Sequence, residues 1–372
     1  TPKYVSSWDI HNRPIPPYLL YKYEQSWGMV PLHEAPIKKI KVNLTTDPRL
    51  RMAEIKESEG HLSSKKTFED SSVIARSHAD YIYEEIKTFG LDFDTEIEAK
   101  AKAKDKLPTW FNCVNIIFPS KISVEQTSSE ATALYKSQLV SGDSLIDLTG
   151  GFGVDDYYFA KKIKTVAHCE INPELSELVQ HNFSQLGATN IHCYSGDSAD
   201  TLKNLNQKWN WIYIDPSRRH DAKGKVFILK DCLPNVPENL EYYFEKSDAI
   251  LIKTAPILDI KAGLSELKYV KKIHIVALDN EVKELLWEIE KDYVGEITLI
   301  AVALNKEKTD VFKAVYGKSD FNITYSQPKK FLYEPNAPIM KTGAFEAIAA
   351  EYGLEKLHQH SHLYTSDKEI DF

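Results

Sequence analysis

A chain of 372 residues is longer than one compact domain usually needs, and 42% hydrophobic with 27% charged residues is the composition of an ordinary folded protein. A formal net charge of -8 excludes a protein that coats nucleic acid over its whole surface and confines any polyanion site to a local basic patch. Four cysteines without a CxxC pair suggest neither a zinc ribbon nor a disulfide framework, no apolar run approaches the ~20 residues of a membrane span, and the N-terminus lacks the plan of a secretory leader; a soluble, cytoplasmic protein is expected.

Residues 1–65 are rich in Pro, Tyr and Trp without clear periodicity and read as an irregular N-terminal arm. The Thr at position 1 suggests a processed or trimmed start. Residues 66–125 read as a helical region: "SSVIARSHADYIYEEIKTFG" spaces its apolar residues by three and four and ends on a glycine suited to a C-cap. From Ser144 short apolar runs alternate with helical segments: "SLIDL", "TVAHCE", "NIHCYS", "WNWIYID", "AILIKT", "KIHIVAL" and "ITLIAVAL". That alternation predicts an α/β fold with a doubly wound, Rossmann-like, largely parallel sheet over residues 126–305. Residues 306–372 read as a small C-terminal α+β region with one helix after a Pro-rich lead-in.

Between the first strand and the next helix stands "DLTGGFGVD", residues Asp147 to Asp155. Three glycines at a strand-to-helix turn imply that backbone approaches a ligand. The dinucleotide fingerprint fails here, because Asp156 occupies the position of its third glycine. What remains resembles motif I of the class I S-adenosylmethionine-dependent methyltransferases, with Asp147, Thr149, Gly150, Gly151 and Gly153 as cofactor-binding candidates. Asp155 is either a further contact or a helix-start acid favoured by the dipole. Glu170 closes the second strand 20 residues after Gly150, where a carboxylate can take both ribose hydroxyls, with Ile171 beside it. Asp197, followed by Ser198, closes the third strand, where methyltransferases of this class accept from the adenine amino group. Asn172 and Pro173 read as a helix entry.

The fourth strand ends in "DPSRR". This resembles the D-P-P-x motif of methyltransferases acting on nitrogen, with Ser217 in place of the second proline and Arg218 in place of the aromatic that stacks on a flipped base. Methyl transfer from a sulfonium is an in-line displacement, so the enzyme mainly holds nucleophile and methyl in line. Asp215 is the candidate that orients or deprotonates the nucleophile, with Pro216 and Ser217 completing the catalytic set. From Arg218 to Lys230 there are five basic residues and one acid, so Arg218, Arg219, Lys223 and Lys225 are substrate-binding candidates for a phosphate backbone, or else a solvated charge run. His358, His360 and His362 alternate, but lack an acidic or cysteine partner, and no metal centre is expected.

Beyond these motifs, "KLPTWF", "FPSKISVEQTSSEATALYKSQLVSG", "LKDCLPNV", "EVKELLWEIE", "YEPNAPIMKTGAF" and "LHQHSHLYTSD" resemble a Bacteroidetes family of class I methyltransferases that carry a THUMP-like domain. The likeness runs from about Lys106 to Phe372. It implies a methyltransferase acting on RNA (rRNA or tRNA), with S-adenosyl-L-methionine as cofactor and the chain stopping inside the THUMP-like domain. It also implies that Gln126, Ser128, Ser129 and Glu130 lie on a helix covering the cofactor, and that Lys253 and Pro256 line the end of the fifth strand. A methyltransferase for a small molecule or protein, or a non-catalytic S-adenosylmethionine-binding scaffold, are the competing readings; the acid at position 215 speaks against the scaffold.

Overall fold

The computed structural model describes residues 86–91, 93–218, 228–305 and 308–371, together with the backbone of four short strands nearer the N-terminus. Those strands, Leu19–Tyr23, Ser26–Val30, Ile40–Asn43 and Met52–Glu57, pair into one four-stranded sheet within the stretch expected to be irregular. Aromatic and β-branched residues favour such pairing even where no alternation is visible. Most of the helical pattern expected between 66 and 90 lies outside the described residues.

The helices in chain order are α1 (Phe93–Lys106), α2 (Pro108–Asn112), α3 (Lys121–Gln126), α4 (Glu130–Ser137), α5 (Val154–Ala160), α6 (Pro173–Gln185), α7 (Ser198–Leu205), α8 (Val236–Lys246), α9 (Ile260–Glu266), α10 (Ala337–Thr342) and α11 (Phe345–Tyr352). The chain divides into two units, residues 1–130 with 172–189, and residues 131–171 with 190–372. In the first unit, α1 buries Glu96, Ala99, Lys100 and Ala103, a stripe at helical spacing. Helix α6 starts where Asn172 Oδ1 accepts the N–H groups of Glu174 and Leu175 at 2.9 and 3.1 Å, with Pro173 in its first turn, as the helix-entry reading requires. Further along α6, the Asn182 side chain pairs with both backbone groups of Ile117 at 2.9 and 2.8 Å.

The second unit is built on a nine-stranded sheet. Its strands are β1 (Ser144–Asp147), β2 (Thr165–Glu170), β3 (Ile191–Ser195), β4 (Trp211–Ile214), β5 (Ala249–Thr254), β6 (Val270–Leu278), β7 (Glu281–Glu290), β8 (Thr298–Leu304) and β9 (Thr309–Val315). The spatial order is β3-β2-β1-β4-β5-β7-β6-β8-β9. Strands β1 to β5 run parallel, β7 runs antiparallel to both β5 and β6, and β9 is antiparallel to β8. Each of the seven runs read as strands is a strand. Strand order reverses between β1 and β4, and at such a switch point the carboxyl ends of the strands open a crevice for ligands. The core against the sheet contains Ile146, Ile212, Ile252, Leu285 and Trp287. Gly263 on α9 is required there, because a Cβ would meet the Trp287 ring at 2.4 Å.

A three-stranded antiparallel sheet closes the chain, with β10 (Phe331–Tyr333), β11 (Glu355–Lys356) and β12 (Tyr364–Ser366) in the order β10-β12-β11. Two helices accompany it where one was expected. Asn336 caps α10, Gly343 ends it with φ 69°, and α11 follows directly. Phe312 and Ala314 of β9 share a core with Ile339, Ile348 and Tyr364 of this region.

Candidate active site

The turn after β1 is fixed from inside. The Asp147 carboxylate is buried, and its Oδ1 accepts both the N–H and the hydroxyl of Thr149 at 2.7 and 2.9 Å. Gly150 donates its N–H to the Cys169 carbonyl at 2.8 Å, and a Cβ there would lie 2.2 Å from the His168 imidazole. Gly151 is left-handed at φ 55° and faces open space, the nearest atom to a Cβ being the Thr149 carbonyl at 3.7 Å. Gly153 is left-handed as well and is the residue at which α5 begins.

Two acids stand in the first turn of that helix, and each is also tied to side chains from elsewhere in the chain. Asp156 is fully buried and meets His168 Nδ1 at 2.6 Å. Burial and neighbouring Asp155 push the Asp156 carboxyl well above the usual range, and burial together with Asp156 does the same to Asp147; burial pulls His168 down. Both directions favour the uncharged forms of this buried pair. Asp155 points elsewhere: Oδ2 accepts the Tyr213 hydroxyl at 2.7 Å, and Oδ1 pairs with Lys136 at 3.1 Å.

At the end of β2, Glu170 Oε2 accepts the Gly151 N–H at 3.0 Å, so the acid read as the ribose handle stands directly against the glycine turn. Ile171 follows with 72% of its surface exposed. At the end of β3, Asp197 caps α7, its Oδ1 accepting from Ala199 at 2.7 Å and from Asp200 at 3.4 Å; Ser198 is the first residue of that helix. The Asp197 side chain thus has a structural use whatever else it contacts.

Asp215 follows β4. Its N–H donates to Thr149 Oγ1 at 2.7 Å, and its Oδ2 is ion-paired with Lys253 Nζ of β5. The Asp215 side chain is 36% exposed and that of Lys253 only 13%. Pro216 is buried and Ser217 exposed, and Ser217–Arg218 pairs antiparallel with Cys232–Leu233. Lys136 donates to both oxygens of Glu284 at 2.8 Å, and all of this lies out of water. Burial alone lowers the Lys253 ammonium, but Asp215, Glu284 and Asp155 outweigh it and hold it above its usual value.

The structure therefore brings Asp147, Thr149, Gly150, Gly151, Gly153, Glu170 and Asp215 together at the carboxyl edge of the sheet. Arg219, Lys223 and Lys225 lie outside the described residues, and Lys230 is exposed with its N–H bonded to Glu266 at 2.8 Å. Gln126, Ser128, Ser129 and Glu130 belong to the first unit, where the Glu130 carboxylate accepts the Thr109 N–H and hydroxyl at 2.5 and 2.8 Å. His362 stacks on Phe345 with ring centroids 3.8 Å apart, and among the described residues no three His, Cys, Asp or Glu form a metal cluster. Nor is any described helix long and apolar enough to cross a membrane. Lys136, Tyr213 and Glu284 are linked through Asp155 and Lys136 behind these residues, and the motifs do not reveal them; for Lys136 the available signal was a charged residue inside an otherwise buried stripe.

A sheet of order 3-2-1-4-5 with an antiparallel strand inserted before the sixth, a glycine turn after β1 and acids at successive strand ends define a class I methyltransferase fold. Among solved structures, a candidate methyltransferase of Porphyromonas gingivalis W83 is 31% identical, with a TM-score of 0.69, over 74% of this chain and 70% of that one. The chain belongs to the family of that methyltransferase. Uncharacterised RNA methyltransferases from two strains of Streptococcus pneumoniae are 29% identical over 127 residues. That match takes in 32% of this chain and 27% of theirs, so the chain spans about a quarter of these curated relatives. Residues 331–372 match the model of a ferredoxin-like domain.

Proposed function

We propose that the protein is an S-adenosylmethionine-dependent methyltransferase acting on RNA, rRNA or tRNA being the class of substrate. The observation that carries the reading is the joining of two strand ends to one turn: Glu170 on the Gly151 N–H, and the Asp215 N–H on Thr149. The residues present fit the cofactor. Gly151 leaves backbone open to a ligand, Glu170 stands beside it for the ribose hydroxyls, and exposed Ile171 offers an apolar face to a purine. Bound S-adenosylmethionine supplies an activated methyl on sulfur. The chain's own part is to orient the acceptor. Asp215 accepts a hydrogen bond from a nitrogen or oxygen nucleophile and takes its proton, while Thr149 keeps the Asp215 backbone in register with the cofactor turn.

The RNA assignment is supported by the pneumococcal relatives, which are RNA methyltransferases by name, and by the basic run from Arg218 to Lys230 in a chain of net charge -8. We read residues 306–372 as a small region leading into a THUMP-like domain that helps RNA dock, and the protein as cytoplasmic. Mass spectrometry of nucleosides from rRNA and tRNA of cells with and without the gene tests this. One methylated nucleoside should disappear on deletion and return when purified protein and S-adenosylmethionine are added to the extracted RNA; unchanged nucleosides in both fractions would point to a protein or small-molecule acceptor.

A further inference from the structure

Asp215 is gripped at two places, and the second grip continues inward. Lys253 of β5 stands opposite Leu286 of β7, and Glu284, two residues earlier on β7, shares that face of the sheet. Glu284 holds Lys136 of α4 through both of its oxygens, Lys136 reaches Asp155, and Asp155 holds the Tyr213 hydroxyl. Two ammonium groups and three carboxylates thus form one arrangement in which Asp215 is the member most open to solvent. A buried ion pair gives no more stability than well-packed apolar side chains of the same volume. Four charged groups concentrated behind the acid of the fourth strand therefore point to a use other than stability.

We propose that Lys253 is the positioning residue of Asp215, and that the buried Lys136–Glu284 pair in turn keeps Lys253 in place. The proposal rests on the reading of Asp215 as the acid that faces the acceptor. On the loop that follows β4, a carboxylate with a third of its surface exposed would otherwise sample several rotamers. The Lys253 ammonium pins Oδ2. That leaves Oδ1, which accepts no hydrogen bond from the described residues, to take the acceptor's proton along a fixed direction. When the acceptor draws on Asp215, the largely buried Lys253 ammonium still needs counter-charge. Glu284, on the same face of the sheet, and Asp155, joined to it through Lys136, supply it. A methionine in place of Lys253 would fill the volume and leave Asp215 unpinned.

The test compares Lys253→Met, Lys253→Arg, Asp215→Asn and the Lys253→Met/Asp215→Asn double variant. Turnover is read with tritiated S-adenosylmethionine on bulk RNA from cells lacking the gene, and cofactor-site integrity by calorimetry with S-adenosylhomocysteine. Lys253→Met should lower kcat on the order of 10- to 100-fold while KM and S-adenosylhomocysteine affinity stay within about two-fold. Arginine should recover most of that loss, and the double variant should be no slower than Asp215→Asn alone. Full kcat in Lys253→Met, or losses that multiply in the double variant, would overturn the proposal. If the wild type binds S-adenosylhomocysteine but methylates no RNA, the RNA reading fails, and the positioning role is decided by NMR of 15N-lysine-labelled protein. The Lys253 ammonium signal should then move in both Asp215→Asn and Glu284→Gln, and a signal unmoved in either would overturn it.

Discussion

The Thr149 hydroxyl accepts the backbone N–H of Asp215 at 2.7 Å while donating to Asp147 at 2.9 Å. One side chain thereby ties the turn after β1, proposed to face the cofactor, to the acid after β4, proposed to face the acceptor. Replacing Thr149 with valine keeps the shape and removes both bonds. We expect turnover to drop by about tenfold or more, with stability lower by about 1 to 3 kcal/mol because the Asp147 carboxylate loses a buried donor. Thr149→Ser should keep most of both, as steady-state kinetics and urea denaturation would report.

Gly150 and Gly151 should fail differently when made alanine. At Gly150 the new methyl would lie 2.2 to 2.3 Å from imidazole atoms of His168, a fully buried ring that has nowhere to go, so a loss of about 2 kcal/mol or more is expected. At Gly151 space is open but φ is 55°, so the cost to folding should be about 1 kcal/mol, with cofactor affinity the larger casualty. Chemical denaturation and calorimetry on the two variants separate these outcomes; equal stability losses would refute the distinction.

The pH dependence beneath the turn has a defined sign. In the unfolded chain Asp156 gives up its proton near a pH of about 4, whereas the folded chain keeps it to higher pH. The folded state binds more protons in that window. The stability this contributes is therefore complete below the unfolded pKa and is lost as pH rises through the folded value, by up to about 1.4 kcal/mol per pH unit. Asp156→Asn copies the protonated side chain and cannot titrate. Its stability relative to wild type should rise between about pH 4 and pH 8, and urea midpoints measured across that range that stay parallel would contradict the assignment.

Breaking the buried pair should cost more than removing it. Lys136→Met strands Glu284 and Asp155 without their ammonium, an expected loss of about 3 to 5 kcal/mol. Adding Glu284→Leu should recover a substantial part of it, while turnover stays low. Thermal denaturation of wild type and of the single and double variants gives the comparison, and a double variant less stable than the single would contradict the claim that a broken pair costs more than an absent one.

The glycine turn and the acids at strand ends were legible because each is a local signal: a residue type at a fixed distance from an apolar run. Strand β7 was not. Its sequence "EVKELLWEIE" is made largely of Glu, Leu and Lys, which favour helices, and its middle is buried on both faces, so alternation cannot show. Insertion between β5 and β6 decides its conformation. Lys136 and Glu284 stand 148 residues apart and each resembles an ordinary surface charge until the sheet brings them together. Lys136 did leave a trace, since it falls on the stripe Thr132, Ala133, Lys136 and Ser137 that α4 buries. Asp155 was legible as an acid near the turn, but its partners Tyr213 and Lys136 come from β4 and α4, too distant in sequence to be inferred.

The most direct test of the account is a calorimetric titration of wild type and Glu170→Ala with S-adenosylmethionine. Because Glu170 Oε2 meets the Gly151 N–H at 3.0 Å and is proposed to take the ribose hydroxyls, wild type should bind one equivalent. Glu170→Ala should weaken binding by about 2 kcal/mol, roughly 30-fold, with its thermal midpoint little changed. A wild type that binds NADH and not S-adenosylmethionine, or a Glu170→Ala variant with undiminished affinity, would contradict the assignment of this crevice.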